Sequence, residues 1–262
     1  MTRPATQLPT NPSTDEPPEP STEPSTGRPA DLLAGLAGRR FAAVLFDMDG
    51  TLIDSTPVVV RSWVTWALER GIAPEQLEGH HGVPAAQIVR GLVPEHDVEA
   101  ALARINALEI ADVEGITMLP GAAEAVAALP EARRAIVTSC TSALAAARIA
   151  ATGLLAPSVV VTADDVPRGK PDPAPYLLGA RRLGVDPARC LVVEDAPSGL
   201  EAARAAGAAT LAVTTTTPVG DLVADAVVGT LADVRFAVDG DGVRVLAPER
   251  PPQPPEQPPS AH

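Results

Sequence analysis

Asp47 and Asp49 stand two residues apart, directly after the apolar run Ala42–Phe46 and just before Gly50 and Thr51. Three further groups follow other apolar runs in the same way. Thr138 and Ser139 close one run, Lys170 sits in the loop beyond another, and Glu194 and Asp195 end a third. If the runs are strands of one parallel sheet, four carboxylates, two hydroxyls and one ammonium converge on one rim, where open α/β sheets bind their ligands. Carboxylates crowded together repel and cannot all stay ionised unpaired. A hard divalent cation relieves this, and an all-oxygen donor set selects Mg2+. Magnesium keeps water and readily takes a phosphate oxygen, while Lys170, Thr138 and Ser139 could hold the other oxygens. That is phosphoryl chemistry. The spacing divides the aspartates: Asp47 would attack phosphorus to form an aspartyl-phosphate. Asp49 would protonate the departing alkoxide and then deprotonate the hydrolytic water.

The elements that must position these groups are legible in the hydrophobic pattern. Ala42–Phe46, Ala135–Thr138, Val159–Thr162, Leu191–Val193, Thr210–Val213 and Ala226–Val228 are short, continuous and often β-branched, which suits strands buried on both faces. Leu144–Ala151, Pro173–Leu183 and Gly199–Ala206 lie between them and read as helices. The alternation predicts an α/β fold with a doubly wound, Rossmann-like parallel sheet. One interval is too long for a simple crossover. Between the first two runs, Thr56–Gly71, Ala85–Leu92 and Val98–Ala111 carry apolar residues at helical spacing. We read 57–120 as an inserted helical cap domain, with 31–56 and 121–247 as the core. Val234–Val238 and Val243–Leu246 flank Asp239-Gly240-Asp241-Gly242, a predicted terminal hairpin.

With these residues in place, the chain resembles the haloacid dehalogenase superfamily. Phe46–Ser55 looks like the first motif, Ile136–Ser139 the second, Gly169–Pro173 the third and Val193–Gly199 the fourth. The resemblance spans about residues 41–230 and implies a magnesium-dependent phosphatase with a helical cap inserted after the first motif. It implies metal ligation by the Asp47 side chain, the Asp49 backbone carbonyl and Asp195, with Glu194 ligating directly or through water. Glu114–Gly121, the turn His80-His81-Gly82 and Arg168–Pro171 are similar to bacterial sugar phosphatases and to fungal glycerol-3-phosphate and 2-deoxyglucose-6-phosphate phosphatases. The expected substrate is therefore a small phosphorylated sugar or polyol. The alternative enzyme is a phosphomutase of the β-phosphoglucomutase type. By that resemblance it should carry a histidine where Val59 stands and an arginine where Ala85 stands. A non-catalytic phosphometabolite binder is a further alternative, but Asp47, Asp49, Lys170 and Asp195 are all intact.

Composition narrows the class. The 262 residues carry 20 basic and 33 acidic side chains, a net charge of −13. This opposes a nucleic-acid partner, which needs a basic face, and an anionic membrane surface. No apolar run approaches the ~20 residues that span a bilayer. The first ten residues hold no hydrophobic stretch, and Cys140 and Cys190 form no close pair, so a reducing, cytoplasmic setting is expected. The stretches 1–30 and 248–262 hold 15 of the 29 prolines and are expected to be disordered tails. Lys170 is the only lysine, which singles it out for a phosphate contact, whereas the arginine pairs 39–40, 133–134 and 181–182 read as solvated. A small-molecule phosphomonoester is the expected partner. The pattern fixes no oligomeric state, and a monomer is compatible with it.

Overall fold

The structure, a computed structural model, describes residues 32–77 and 85–248. The expected tails (Pro248 apart) and the turn His80-His81-Gly82 lie outside the described residues. Six strands form one parallel sheet: β1 (Ala43–Phe46), β4 (Arg134–Val137), β5 (Val160–Val161), β6 (Cys190–Glu194), β7 (Ala209–Val213) and β8 (Ala226–Val228). Their spatial order is β5-β4-β1-β6-β7-β8, so the chain reverses direction of winding beside β1, as a doubly wound sheet does. Each of the six expected strands is present, to within a residue or two.

Successive strand side chains point to opposite faces, and the core divides accordingly. Val44, Phe46, Ile136, Leu191 and Val193 face one side. There they meet α4 (Ala122–Ala127), α5 (Ser142–Thr152) and the hairpin of β9 (Arg235–Asp239) and β10 (Gly242–Leu246). Ala43, Leu45, Ala135, Val137 and Val192 face the other, against α6 (Ala174–Leu183) and α7 (Pro197–Ala205). Strands buried on both faces need no polar alternation, which is why they read as continuous apolar runs. The hairpin also pairs with the sheet domain through Phe41 and Val243.

Between β1 and β4 the chain leaves the sheet. Three helices, α1 (Thr56–Glu69), α2 (Ala85–Leu92) and α3 (Val98–Ala111), enclose a separate apolar cluster of Trp63, Trp66, Ile88, Val89, Val98 and Ile105. The Trp66 indole donates to the Ala101 carbonyl at 2.9 Å, locking α1 to α3. The outgoing and returning segments pair as a small antiparallel ribbon of β2 (Ile53–Asp54) and β3 (Thr117–Met118). This ribbon and α4 were not expected: two-residue strands and a six-residue helix carry too little periodicity to register. One expectation is corrected. Arg134 is not solvated but 6% exposed, because it opens β4 and its guanidinium donates to the Val126 carbonyl at 2.5 Å and pairs with Glu131.

Candidate active site

The carboxyl ends of β1, β4 and β6 lie side by side and carry most of the site. Asp47 follows β1, Glu194 ends β6 and Asp195 follows it; all three are buried. Each offers a carboxylate oxygen within 4.8 Å of the others'. Lys170 reaches into this group from the loop before α6. Its Nζ donates to Asp47 Oδ1 at 2.5 Å, to Glu194 Oε1 at 2.6 Å and to the Val137 carbonyl at the end of β4 at 3.0 Å. All three hydrogens of the ammonium are thus directed, which is what a buried lysine requires.

Glu194 is the most constrained member. Oε1 also accepts from the Tyr176 hydroxyl at 2.8 Å, and Oε2 accepts from the backbone N–H of Asp195 and Ala196 at 3.0 and 3.1 Å. Gly199 on α7 makes room for it, since a Cβ there would lie 1.7 Å from Oε1. Asp195 is held from the other side. Thr51 donates to its Oδ1 at 3.1 Å, and Thr216 donates to Oδ2. Gly50, at φ +83°, lets the β1 loop turn against Asp195, where a Cβ would meet Oδ2 at 2.2 Å. The first motif is therefore shaped by the fourth.

Electrostatics follow from this crowding. Burial, with the neighbouring carboxylates adding, pushes the Asp47 carboxyl well above its usual range despite Lys170. Burial and Glu194 push Asp195 up to about 7, against the hydrogen bonds from Thr216 and Thr51. Burial disfavours charge on Lys170, yet Asp47 and Glu194 hold its ammonium well above the ordinary lysine value. Ionised together, three buried carboxylates would outweigh the one ammonium, which is why burial raises Asp47 and Asp195. A divalent cation among oxygen donors fits that excess, and the donor set suits magnesium.

Asp49 is built differently. Its carboxylate is 25% exposed and turns towards α5 and the loop before α1. Oδ1 accepts from Ser55 Oγ at 2.7 Å and from Arg148 Nη1 at 2.7 Å; Oδ2 lies 3.1 Å from Cys140 Sγ. Cys140 is a buried thiol whose pKa is raised well above the usual value, chiefly by burial and then by Asp49, which favours the protonated thiol. Thr138 is buried at the end of β4, and its hydroxyl accepts from the Cys140 N–H at 3.1 Å. Ser139, one residue on, is exposed.

Thus Asp47, Lys170, Glu194 and Asp195 come together, with Thr138 on the adjoining strand end. Tyr176, Thr51, Thr216, Ser55 and Arg148 were not singled out in the sequence. A signal existed for two of them. Tyr176 is the only tyrosine, six residues after the only lysine. Arg148 falls in register with Leu144 and Ala145 on the buried face of α5.

A family model described as haloacid dehalogenase-like hydrolase matches residues 41–207, which contain every one of these groups except Thr216. The chain belongs to the haloacid dehalogenase-like hydrolases. Among the family's named members, hexitol phosphatase A of Escherichia coli is 46% identical over 180 residues, covering 66% of this chain and 83% of that protein. Glycerol-1-phosphate phosphohydrolase 2 of Saccharomyces cerevisiae is 33% identical over 187 residues, covering 66% and 75%. Among solved structures, a hydrolase from Pseudomonas syringae superposes with a TM-score of 0.65 at 26% identity, covering 73% of this chain and 95% of its own. The haloacid dehalogenase-like hydrolase fold expected from the four motifs is the fold observed.

Proposed function

We propose that this hydrolase is a phosphatase that cleaves phosphomonoesters of small sugars or polyols, with Asp47 as nucleophile and Mg2+ as cofactor. One observation supports the reading most: three buried carboxylates gather at the ends of neighbouring strands, and a single loop lysine ion-pairs with two of them, Asp47 and Glu194. Asp47 would attack phosphorus through the oxygen not engaged by Lys170, and the bond from phosphorus to the substrate alkoxide would break. Asp49 would give its proton to that alkoxide. It would then take a proton from the water that attacks the aspartyl-phosphate, which returns Asp47 and releases inorganic phosphate. Lys170 would hold charge on the transferring oxygens. Thr138 and Ser139 would supply further donors to the phosphate.

Asp47, Asp195 and the Asp49 carbonyl would hold the metal. Glu194, whose oxygens each already accept two hydrogen bonds, would act on it more readily through water than directly. A bound magnesium ion supplies positive charge to the phosphate oxygens and to the crowded carboxylates. The helices between β2 and β3 form their own apolar core, which supports reading them as a cap that contacts the alcohol portion of the substrate. The substrate class follows the relatives, one acting on a hexitol phosphate and another on glycerol 1-phosphate by their names.

The test is phosphate release by the purified protein with magnesium across hexitol phosphates, glycerol 1-phosphate, 2-deoxyglucose 6-phosphate, fructose 1-phosphate and nucleotide monophosphates. Turnover of the sugar or polyol esters well above the nucleotides, without need of a bisphosphate activator, is expected. No release from any of them would overturn the reading, and turnover only with a bisphosphate would favour the mutase.

A further inference from the structure

Arg148 is a buried cation that the phosphoryl chemistry above does not use. It lies on α5 and is 3% exposed. Its Nη1 donates to Asp49 Oδ1 at 2.7 Å and to Cys140 Sγ at 3.2 Å. Its Nε and Nη2 have no hydrogen-bond acceptor among the described residues. Nη2 instead faces Glu109 Oε1 at 3.7 Å, and Glu109 belongs to α3 of the helical insert. One turn earlier on α3, Asn106 Oδ1 accepts from Thr141 Oγ1 at 2.9 Å, and Thr141 is the residue that caps α5. The insert therefore touches the Arg148 helix at its first turn and again at Arg148 itself.

A buried guanidinium with idle N–H groups costs stability, and an apolar side chain of similar volume is often as good or better. The cost needs a reason, and Asp49 supplies one. Ser55 and Arg148 both donate to Oδ1 and so fix the plane of the carboxyl group. Oδ2 faces only the weak sulfur donor of Cys140 among the described residues, which leaves it as the oxygen to carry and return the proton. We infer that Arg148 is a positioning residue for Asp49, held from the insert side by Glu109, so that the seating of the insert on the core sets the direction of the acid/base carboxyl. The inference rests on the role given to Asp49 above.

A leaving-group comparison tests it. The p-nitrophenolate of p-nitrophenyl phosphate departs without a proton, whereas the alkoxide of sorbitol 6-phosphate needs one. The readout is the ratio of kcat/KM for the alkyl over the aryl ester, with Asp49→Asn as the benchmark for a lost general acid. Asp49→Asn should lower the ratio about 100-fold or more. Arg148→Met should lower it about tenfold or more, Arg148→Lys should restore part of that, and Glu109→Gln should lower it about threefold. Glu109→Gln should add nothing in the Arg148→Met background, because it acts through Arg148. A melting curve and a circular-dichroism spectrum matching those of the unmodified protein report that each variant is folded. Should Arg148→Met not fold, Arg148→Lys and Glu109→Gln carry the test, and an unchanged ratio in both overturns the inference. A selective Asp49→Asn beside an Arg148→Met that slows both esters equally also overturns it, leaving the phosphatase reading intact. A non-selective Asp49→Asn removes the acid/base role and this inference with it.

Discussion

The two sides of the site are held in opposite ways. On the side of β1 and β6, Asp47, Glu194 and Asp195 are buried at strand ends with Lys170 buried among them from a loop, and every Lys170 hydrogen and Glu194 oxygen is matched. On the side of the helical insert, Asp49 is partly exposed on a loop, and Arg148 behind it has donors without acceptors among the described residues. The difference separates two tasks. Groups that must hold a phosphate and a cation gain from rigid strand ends, where packing leaves one geometry. The group proposed to meet the departing alcohol, Asp49, sits beside a helix that the insert contacts.

Several substitutions can break this contrast or sharpen it. The largest effect is expected on the rigid side: Asp47→Asn should cut phosphate release by more than about 10³-fold while the melting temperature is kept or raised. A steady-state assay with a melting curve on the same sample checks it, and a large loss of melting temperature would mean that Asp47 is structural. Chelation comes next. EDTA should abolish turnover, and added magnesium should restore it within one assay. Persisting activity in excess chelator would remove the cation from the account.

Gly199→Ala should destabilise by about 1–3 kcal/mol, because its Cβ has no room beside Glu194. Chemical denaturation measures this. A neutral result would show that the Glu194 pocket is looser than the insert side. The smallest effect concerns pH. Asp195 is raised to about 7 in the folded chain and titrates near 3.9 when unfolded. Between these values the folded state binds more protons, so stability without metal should fall as pH rises from about 4 to about 7. Saturating magnesium should flatten that slope, since ligation needs the carboxylate. A metal-free melting temperature that rises across the window would contradict the burial of charge at this side.

The rigid side is also the side the sequence revealed. Continuous apolar runs placed Asp47, Thr138 and Asp195 at strand ends, and a solitary lysine drew attention to its loop. Buried strands impose a pattern that survives in one sequence, and residues after them inherit their position. The insert side was less legible. Its helices show the 3.6-residue period, so Ala85–Leu92 and Val98–Ala111 could be bounded. Nothing in that period says which polar residue turns inward. Arg148 shares the register of Leu144 and Ala145, but an arginine on an Ala-rich helix reads as solvated, and the approach of Asp49 and Glu109 shows what it faces. Thr216 was hidden for a similar reason: its bond to Asp195 joins two loops after different strands, a pairing set by sheet order alone.

The proposed turnover passes through an Asp47 that becomes phosphorylated. Mixing the protein with a turned-over phosphomonoester and magnesium, quenching in acid within the first turnover and mapping the digest by mass spectrometry tests this directly. One phosphoryl group on the peptide containing Asp47, and none in Asp47→Asn, is the expected result. Full phosphate release with no phosphorylated peptide at any quench time, or a phosphoryl group on another residue, would contradict it.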